Sequence, residues 1–419
     1  MKKFVSLFLA LTMLFSVFGF STVQAIDIKS GDVNLDGEIN AADALNVLQF
    51  SIGRISLGDT QKSKADVNGD GLINSSDALV ILQISVGLKP SDGKTDIDFS
   101  AYPTLDTEWM DTVVNNYNEF ISEVQGDSTR IPMIVSTDQH GTVTTDCEVF
   151  KFINDLVDWN DISKIISLGD TVYLTYSKAE LKAYDKAVEC LPVEKRLELF
   201  GNHDGHISAI HRDMTKYFVA YGAEYTLKKD AFVVEDEQFN VRYLSIDPMG
   251  YPWTYTSGKI NTAQANFIIE QLEKEDDMNV VLLSHPYLFR DELIKRDGTT
   301  FTGSETFIGD GKKGADVKQS FLDMLLARKN KTAGVFVDSN GIKHSYDFTN
   351  CKGDFLMALH GHHHTEGYET SNGITEFLFQ SFKYDEPNCF YFAYIDTDDM
   401  TFKCWKNIPG YDAWEIEIA

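Results

Sequence analysis

Five short apolar segments in the second part of the chain have the pattern of buried β-strands, and each ends in polar residues. Segments with a helical spacing of apolar residues separate them, and this alternation is typical of α/β proteins. The strand-like segments cover residues 131–136, 164–168, 196–200, 279–284 and 355–359, and the helical segments cover 148–159, 178–190 and 262–274. Further strand-like segments near the C-terminus would complete a second sheet. The pattern therefore predicts an α/β fold.

Side chains that bind metals or transfer protons follow directly after these five segments. One aspartate at a strand end usually caps the next helix, and one histidine is usually a core residue, but five such strand ends together are poorly explained in this way. Because open α/β sheets place their sites at the carboxyl ends of strands, we expect these side chains to meet in one site. They are Asp138, His140, Asp170, Asn202, His203, Asp204, His285, His362 and His364.

A repeat of oxygen-bearing residues precedes this region, in two copies offset by 34 residues. In each copy, oxygen side chains occupy loop positions 1, 3, 5, 9 and 12, and a glycine occupies position 6. Each loop leads into an apolar-periodic helix, over residues 44–52 and 78–86. Oxygen donors at this spacing are typical of calcium loops, so two Ca²⁺ sites are expected. The ligands would be Asp32, Asn34, Asp36, Asn40 and Asp43, then Asp66, Asn68, Asp70, Asn74 and Asp77.

The chain begins with a segment typical of a secretory signal peptide. Lys2 and Lys3 give a positive start, an apolar run covers residues 4–20, and small residues fit cleavage after Ala25. A membrane-anchoring helix is the alternative, but this run is at the short limit for spanning a bilayer. We therefore expect a signal peptide over residues 1–25, an exported chain and no membrane span in the mature protein.

The net charge of the chain limits the classes of partner that it can bind. The chain has 37 Lys and Arg against 64 Asp and Glu, a formal charge of −27. This charge disfavours a nucleic-acid polymer or an anionic lipid surface as a partner.

The five cysteines include no CxxC pair. Cys389 and Cys404 flank a predicted hairpin, where they would either face one another or remain buried free thiols.

The duplicated loop and helix resembles a type I dockerin over residues 31–89, which gives a domain over 26–89 and a linker over 90–105. It differs from an EF-hand sensor because position 12 is Asp rather than Glu and little chain precedes the first loop. The resemblance implies binding to a cohesin domain of a scaffoldin, as in a cellulosome. The contacts would fall on Ala41, Ala42, Ser75 and Ser76. Because the two pairs differ, the halves are not expected to be interchangeable. A calcium-stabilised loop pair without a partner is the alternative.

The order of the strand-end residues resembles that of the calcineurin-like metallophosphoesterases, across residues 128–405. The resemblance implies a two-sheet α/β sandwich over residues 106–419 and two transition-metal ions, with Mn, Fe and Zn all compatible. By this resemblance one ion is held by Asp138, His140 and His364. The other is held by Asn202, His285 and His362, and Asp170 bridges the two.

The same resemblance implies a reaction. A hydroxide that bridges the metals would attack phosphorus, while His203, held by Asp204, protonates the leaving group. Tyr173 lies where purple acid phosphatases use a tyrosinate ligand, but His140 is available to fill that coordination position. We therefore expect Tyr173 to be a neighbour of the metals rather than a ligand.

Both resemblances together imply a secreted, scaffold-tethered phosphoesterase acting on phosphate mono- or diesters. Phe200 precedes the Gly-Asn-His motif where Ser/Thr protein phosphatases of this superfamily have Arg, which disfavours that branch. The polar segment 289–350 is expected to form either a specificity lid or an exposed insertion without a role. A non-catalytic, cohesin-docked binding or adhesion protein on the same fold is the alternative, although every expected ligand is present.

Overall fold

The computed structural model contains two compact units, one within Met1–Lys94 and the other within Thr95–Ala419. The residues it describes are 30–67, 72–85, 97–144, 147–173, 178–204, 231–246, 259–287, 293–301, 314–383 and 388–419. The predicted signal peptide lies outside them. No helix in this described part of the chain is long and apolar enough to cross a bilayer.

The described residues of the first unit form three helices around a small apolar core. They are α1 (Ala41–Ser51), α2 (Asp59–Ala65) and α3 (Ser75–Ser85). Helix α1 begins three residues before the predicted start, because the Asn40 side chain accepts a hydrogen bond from the Ala42 backbone N–H and caps it. Val47 and Ile81, at equivalent positions of the repeat, share the core. Helix α2 has a single apolar residue, so no periodicity predicts it.

The second unit contains sixteen strands and five α-helices among its described residues. The strands are β1 (Arg130–Ser136), β2 (Lys164–Ser167), β3 (Arg196–Glu198), β4 (Ala231–Asp236), β5 (Val241–Ile246), β6 (Asn279–Ser284), β7 (Leu293–Ile294), β8 (Thr300–Phe301), β9 (Ala333–Val337), β10 (Lys343–Asp347), β11 (Phe355–His360), β12 (Gly367–Ser371), β13 (Ile374–Leu378), β14 (Tyr391–Asp396), β15 (Thr401–Lys406) and β16 (Trp414–Glu417). The helices are α4 (Thr107–Val124), α5 (Glu148–Leu156), α6 (Lys178–Ala187), α7 (Thr262–Leu272) and α8 (Gly314–Lys329).

Most of these strands form two sheets. The first has the order β16-β15-β14-β1-β2-β3 and is parallel from β1 to β3. The second has the order β4-β5-β6-β11-β13-β12-β7-β8 and is parallel from β5 through β6 and β11 to β13. Strands β9 and β10 pair separately as a hairpin. The five strands predicted to carry the site are all present, and all lie in parallel parts of the sheets.

Alternating side chains on the strands define the layers of the unit. On β1, Ile131, Met133 and Val135 lie in a core between the two sheets, with Val281 of β6. Ile134 lies in a second core, under α4, α5 and α6. A third core packs α7 and α8 on the other sheet. The unit is thus a two-sheet α/β sandwich with helices on both outer faces, as predicted.

The described part of the segment 289–350, residues 293–301 and 314–350, differs from both structures expected for the segment. Within its described part, α8 has Phe321, Met324 and Leu325 fully buried against the second sheet. This stretch is therefore part of the packed core rather than a lid or an exposed insertion.

The end of the predicted linker, residues 97–105, belongs to the second unit and packs against α5. Tyr102 is 2% exposed, and its ring centre lies 5.0 Å from that of Phe152. Asp106 then caps α4 by accepting a hydrogen bond from the Trp109 N–H. Structured chain therefore begins before residue 106.

All five cysteines are free thiols. Cys404 on β15 pairs in register with Ala393 on β14, so it does not lie opposite Cys389. Cys389 and Cys404 are both buried, which agrees with the interpretation as buried free thiols.

Candidate metal centre

The predicted metal ligands lie on the loops that follow β1, β2, β3, β6 and β11. Five of them have left-handed backbone conformations: Asp138, His140, Asp170, His362 and His364 have φ between 47 and 78°. Such conformations are uncommon outside glycine and cost about 1–3 kcal/mol each. Strain concentrated in residues with metal-binding side chains is typical of a functional site.

Hydrogen bonds between the loops stabilise these bends. The backbone N–H of Asp138 donates to the carbonyl oxygen of Gly169, and that of His140 donates to the carbonyl oxygen of Asp170, both at 2.9 Å. From the second sheet, the Ser381 hydroxyl donates to the carbonyl oxygen of Asp138 at 3.0 Å. The loops of both sheets are therefore tied together around the site.

A first group of donor atoms comes from Asp138, His140 and His364. The Nε2 atoms of the two histidines are 2.9 Å apart, and they lie 3.5 and 3.2 Å from Asp138 Oδ1. The other carboxylate oxygen accepts hydrogen bonds from the Thr137 hydroxyl and the His362 N–H, which orient it. Three donor atoms therefore converge on one point.

A second group surrounds Nε2 of His285. This atom lies 3.2 Å from Asp170 Oδ2, 3.1 Å from Asn202 Oδ1 and 3.2 Å from His362 Nδ1. Nδ1 of His285 donates to the carbonyl oxygen of Leu168 at 2.7 Å. In the neutral ring, the lone pair of Nε2 therefore faces the other three donor atoms.

Asp170 lies between the two groups. Its Oδ2 is 3.9 Å from Nε2 of His140 and 3.9 Å from Nε2 of His203. Its Oδ1 accepts a hydrogen bond from the His203 backbone N–H at 2.7 Å. Asp170, His140 and His203 form a third set of metal-capable groups that overlaps the other two. All seven predicted metal ligands thus belong to one continuous cluster.

The charges at the site favour a bound cation. Burial lowers the pKa of His285, but the Asp170 carboxylate outweighs this effect and raises that pKa to about 9. Burial raises the pKa of Asp138, yet hydrogen bonding to His140 and His364 holds it well below its usual range. Burial acts to raise the pKa of Asp170 as well, but that pKa is lowered overall, chiefly by the charge of His285. The Asp138 and Asp170 carboxylates therefore stay ionised in a buried site, where their charge requires compensation.

The donor set fits metal ions. Asp170 Oδ2 and Asn202 Oδ1 are acceptors, and the lone pair of His285 Nε2 faces them, so one proton cannot satisfy all three atoms. A cation can do so. Imidazole nitrogens with carboxylate and amide oxygens suit Mn, Fe and Zn alike.

His203 lies at the edge of the site, with 27% of its side chain exposed. Its Nδ1 donates to the carbonyl oxygen of Tyr173 at 2.8 Å. This contact fixes the ring and leaves Nε2 on the side of Asp170. The ring therefore reaches both the metal-capable cluster and solvent.

The predicted pairing of His203 with Asp204 is wrong. The Asp204 carboxylate instead accepts hydrogen bonds from the backbone N–H groups of Gly201 and Val172, at 2.9 and 3.1 Å. Burial and the nearby Asp170 charge raise the pKa of Asp204 to about 7. Asp204 therefore stabilises the backbone of the loops after β2 and β3 and does not hold the ring of His203.

Tyr173 is a neighbour of the cluster, with its ring centre 6.1 Å from that of His140, and the residue is 46% exposed.

Lys383 was missed by the sequence analysis. Its Nζ lies 4.2 Å from the Tyr173 ring centre and donates to the carbonyl oxygen of His140 at 3.1 Å. Lys383 follows β13, so the strand-end rule applied to that strand would have found it.

The first unit contains the other predicted site. The Asp32 carboxylate accepts hydrogen bonds from the N–H groups of Asp36 and Gly37, and Gly37 has φ 91° as a sharp turn requires. The buried Asp43 carboxylate accepts from three backbone N–H groups of the loop, at 2.9 to 3.0 Å. The backbone is thus folded around the inward-facing oxygens.

The second loop repeats part of this arrangement. Asp77, at the position of Asp43, accepts hydrogen bonds from the Val67 and Asn74 N–H groups. The predicted ligands Asn68 and Asp70 lie outside the described residues.

Residues 30–83 match the family model of the dockerin type I domain. The chain carries an N-terminal dockerin domain. The repeated loops and the paired helices α1 and α3 are therefore its two halves. The four dockerin positions expected to contact cohesin, Ala41, Ala42, Ser75 and Ser76, are exposed at the N-terminal ends of these helices.

Solved structures similar to this dockerin-bearing chain cover about two thirds of it. A dimetal phosphatase from Danio rerio is 12% identical, with 69% of this chain and 99% of that chain covered and a TM-score of 0.42. PhoD is 8% identical, with 69% and 70% covered and a TM-score of 0.42. GAP50 of Plasmodium, described as the anchor in the inner membrane complex, is 10% identical, with 69% and 89% covered and a TM-score of 0.39.

No curated protein matches the sequence. Because these three solved structures are at most 12% identical to the chain, they do not establish its function. The function has to be inferred from the side chains of the site itself.

Proposed function

We propose that the protein is a secreted phosphoesterase that uses two transition-metal ions and is tethered to a cohesin domain by its dockerin. The observation that carries the proposal is the continuous cluster in which Asp170 lies between two sets of metal-capable donor atoms. The arrangement fits two ions that share one carboxylate. Secretion rests on the signal-like residues 1–25, and the dockerin supports export to a cell-surface scaffold.

The ligand assignment follows the distances. Asp138, His140 and His364 would hold one ion of Mn, Fe or Zn. His285, His362 and Asn202 would hold the other, and Asp170 would contact both. When bound, two such ions stabilise negative charge on phosphoryl oxygens and activate water as a nucleophile.

The remaining side chains bind the ester and move protons. His203 has its Nδ1 fixed on the Tyr173 carbonyl, so its Nε2 is the atom that would donate a proton to the leaving oxygen. The ammonium group of Lys383 donates to the carbonyl oxygen of His140. Its positive charge near the site would favour an anionic substrate.

We expect His203→Ala to lower kcat for an alkyl phosphate ester by about 10²-fold or more. The loss should be smaller for a p-nitrophenyl ester, because p-nitrophenolate leaves without help from an acid. Initial rates on both esters with the Mn²⁺-loaded chain measure the difference. His344→Ala, which removes a histidine that contacts Asp338 outside the site, is the matched control. Equal losses for both leaving groups would exclude the proton-donor role.

Comparison of bis-p-nitrophenyl phosphate with p-nitrophenyl phosphate tests the proposed function itself. A higher kcat/KM for the diester would make the protein a phosphodiesterase, and the reverse would make it a phosphomonoesterase. No hydrolysis of either ester by the metal-loaded chain would favour a non-catalytic, cohesin-docked protein.

The dockerin is proposed to bind two Ca²⁺ ions and a cohesin of a scaffoldin. We expect Asp43→Ala to weaken calcium binding at least tenfold, because the carboxylate both serves as a ligand and holds three N–H groups of the loop. Cohesin binding should fall with it, while ester hydrolysis is unchanged. Calorimetric titration with Ca²⁺ measures the effect. Glu38→Ala, which removes an exposed carboxylate from the same loop, should bind Ca²⁺ normally.

A further inference from the structure

A buried histidine and a buried glutamate contact one another in the second sheet, next to the loop that carries His362. His360 and Glu376 are both fully buried, and His360 Nε2 lies 2.8 Å from Glu376 Oε2. His360 is the last residue of β11, and Glu376 lies in the middle of the adjacent strand β13. Glutamate is almost never fully buried without a partner, so this pair is unlike an ordinary core contact.

The second nitrogen of the His360 ring contacts a third strand. Its Nδ1 lies 3.1 Å from the carbonyl oxygen of Ser284, the last residue of β6. A carbonyl oxygen can only accept, so Nδ1 donates this hydrogen bond. The ring therefore connects β6, β11 and β13 at the carboxyl ends of β6 and β11.

The residues that follow these two strand ends belong to the metal cluster. His285 comes directly after Ser284, and His362 lies two residues after His360. The Gly361 N–H donates to the carbonyl oxygen of His285 at 3.0 Å, so the two loops are also joined directly. The His360 ring thus contacts the residue before His285 and lies two residues before His362.

We propose that Glu376 is a positioning residue for the half of the metal centre formed by Asp170, His285 and His362, acting through His360. The assignment rests on the proposed two-ion centre. The Glu376 carboxylate fixes the His360 ring, and the ring holds the ends of β6 and β11 in place. The other half takes Asp138 and His140 from the loop after β1, which the His360 ring does not join. It shares with β11 only His364, four residues beyond His360, so it should depend on Glu376 less.

The expected effect is selective weakening of one ion. Groups that orient metal ligands without touching the metal typically change metal affinity by about 10–100-fold. Glu376→Gln keeps the size of the side chain but removes the charge opposite His360. The variant should therefore bind one ion normally and the other about 10–100-fold more weakly.

The test is titration with Mn²⁺ of the full chain, free of transition metals and with its dockerin loops saturated with Ca²⁺, followed by calorimetry and by electron paramagnetic resonance of the spin-coupled Mn²⁺ pair. The wild type should take up two ions and give the coupled signal. At the Mn²⁺ concentration that saturates the wild type, Glu376→Gln should hold one ion and lack that signal. Asp396→Asn is the matched control, because Asp396 is a buried carboxylate that pairs with Arg130 at the other end of β1, at 2.9 Å.

A merely structural role predicts a different result. Glu376→Gln would then lose thermal stability as Asp396→Asn does and still bind both ions with wild-type affinity, which would overturn the proposal. If Glu376→Gln does not fold, Glu376→Asp is titrated in the same way, and two wild-type affinities would again overturn it. A wild-type chain that binds fewer than two Mn²⁺ ions would instead overturn the proposed function.

Discussion

Replacing Asp170 by Asn is expected to lower kcat for phosphate ester hydrolysis by about 10³-fold, the upper range for loss of one group that organises transition-state charge. Asp170 is the residue with donor atoms near both halves of the cluster. Asparagine keeps the size and one oxygen, so it can still accept the hydrogen bond from the His203 N–H. It removes the negative charge that two cations would share.

The measurement is kcat on bis-p-nitrophenyl phosphate at saturating Mn²⁺, together with the number of ions bound. Asp236→Asn is the control. Asp236 is a buried carboxylate that accepts a hydrogen bond from the Ser163 hydroxyl. Ser163 lies just before the start of β2, at the opposite end of that strand from the metal centre. We expect the control to keep the wild-type kcat. An Asp170→Asn variant within tenfold of the wild type would contradict the bridging role.

Much of the site was predictable because the carboxyl ends of parallel strands meet at one edge of a sheet, which brings residues distant in sequence together. Asp138, Asp170 and His285 are far apart in sequence, but each follows a strand in a parallel part of a sheet. Strand positions alone therefore indicated which side chains would meet.

The helix α8 was missed although its signal is present. Phe321, Leu322, Met324 and Leu325 have the spacing of one helix face, but they lie in a long segment whose overall composition is polar. Composition averaged over such a segment hides a short amphipathic helix. The core residues that cover the second sheet were therefore expected to be exposed.

The details of the site depend on backbone geometry that the sequence does not specify. The resemblance to metallophosphoesterases implied that Asp204 holds His203, whereas the turn after Gly201 directs the carboxylate to backbone N–H groups. The left-handed conformations of Asp138 and Asp170 also have no local sequence signal, because they are imposed by hydrogen bonds between loops. Non-local contacts of this kind decide which donor atoms converge.

The close packing of these loops gives the second large expected effect. A Cβ atom added at Gly201 would overlap both a carboxylate oxygen and the backbone nitrogen of Asp170. Gly201→Ala must therefore displace Asp170 or the loop that carries Asn202 and His203. A displacement of about 1 Å at a reacting centre can cost roughly 10²-fold in rate, so we expect a loss of that size in kcat/KM.

Gly353→Ala separates this effect from general destabilisation. Its added Cβ would overlap the carbonyl oxygen of Met278, a comparable steric conflict at the opposite end of β11 from the site. Both variants should therefore unfold at lower temperature than the wild type, whereas the large loss of kcat/KM and of the second metal ion should occur in Gly201→Ala alone. Equal kcat/KM values for the two folded variants would mean that the loop relaxes without moving Asp170, and that contact between the Gly201 backbone and this carboxylate does not set the geometry of the site.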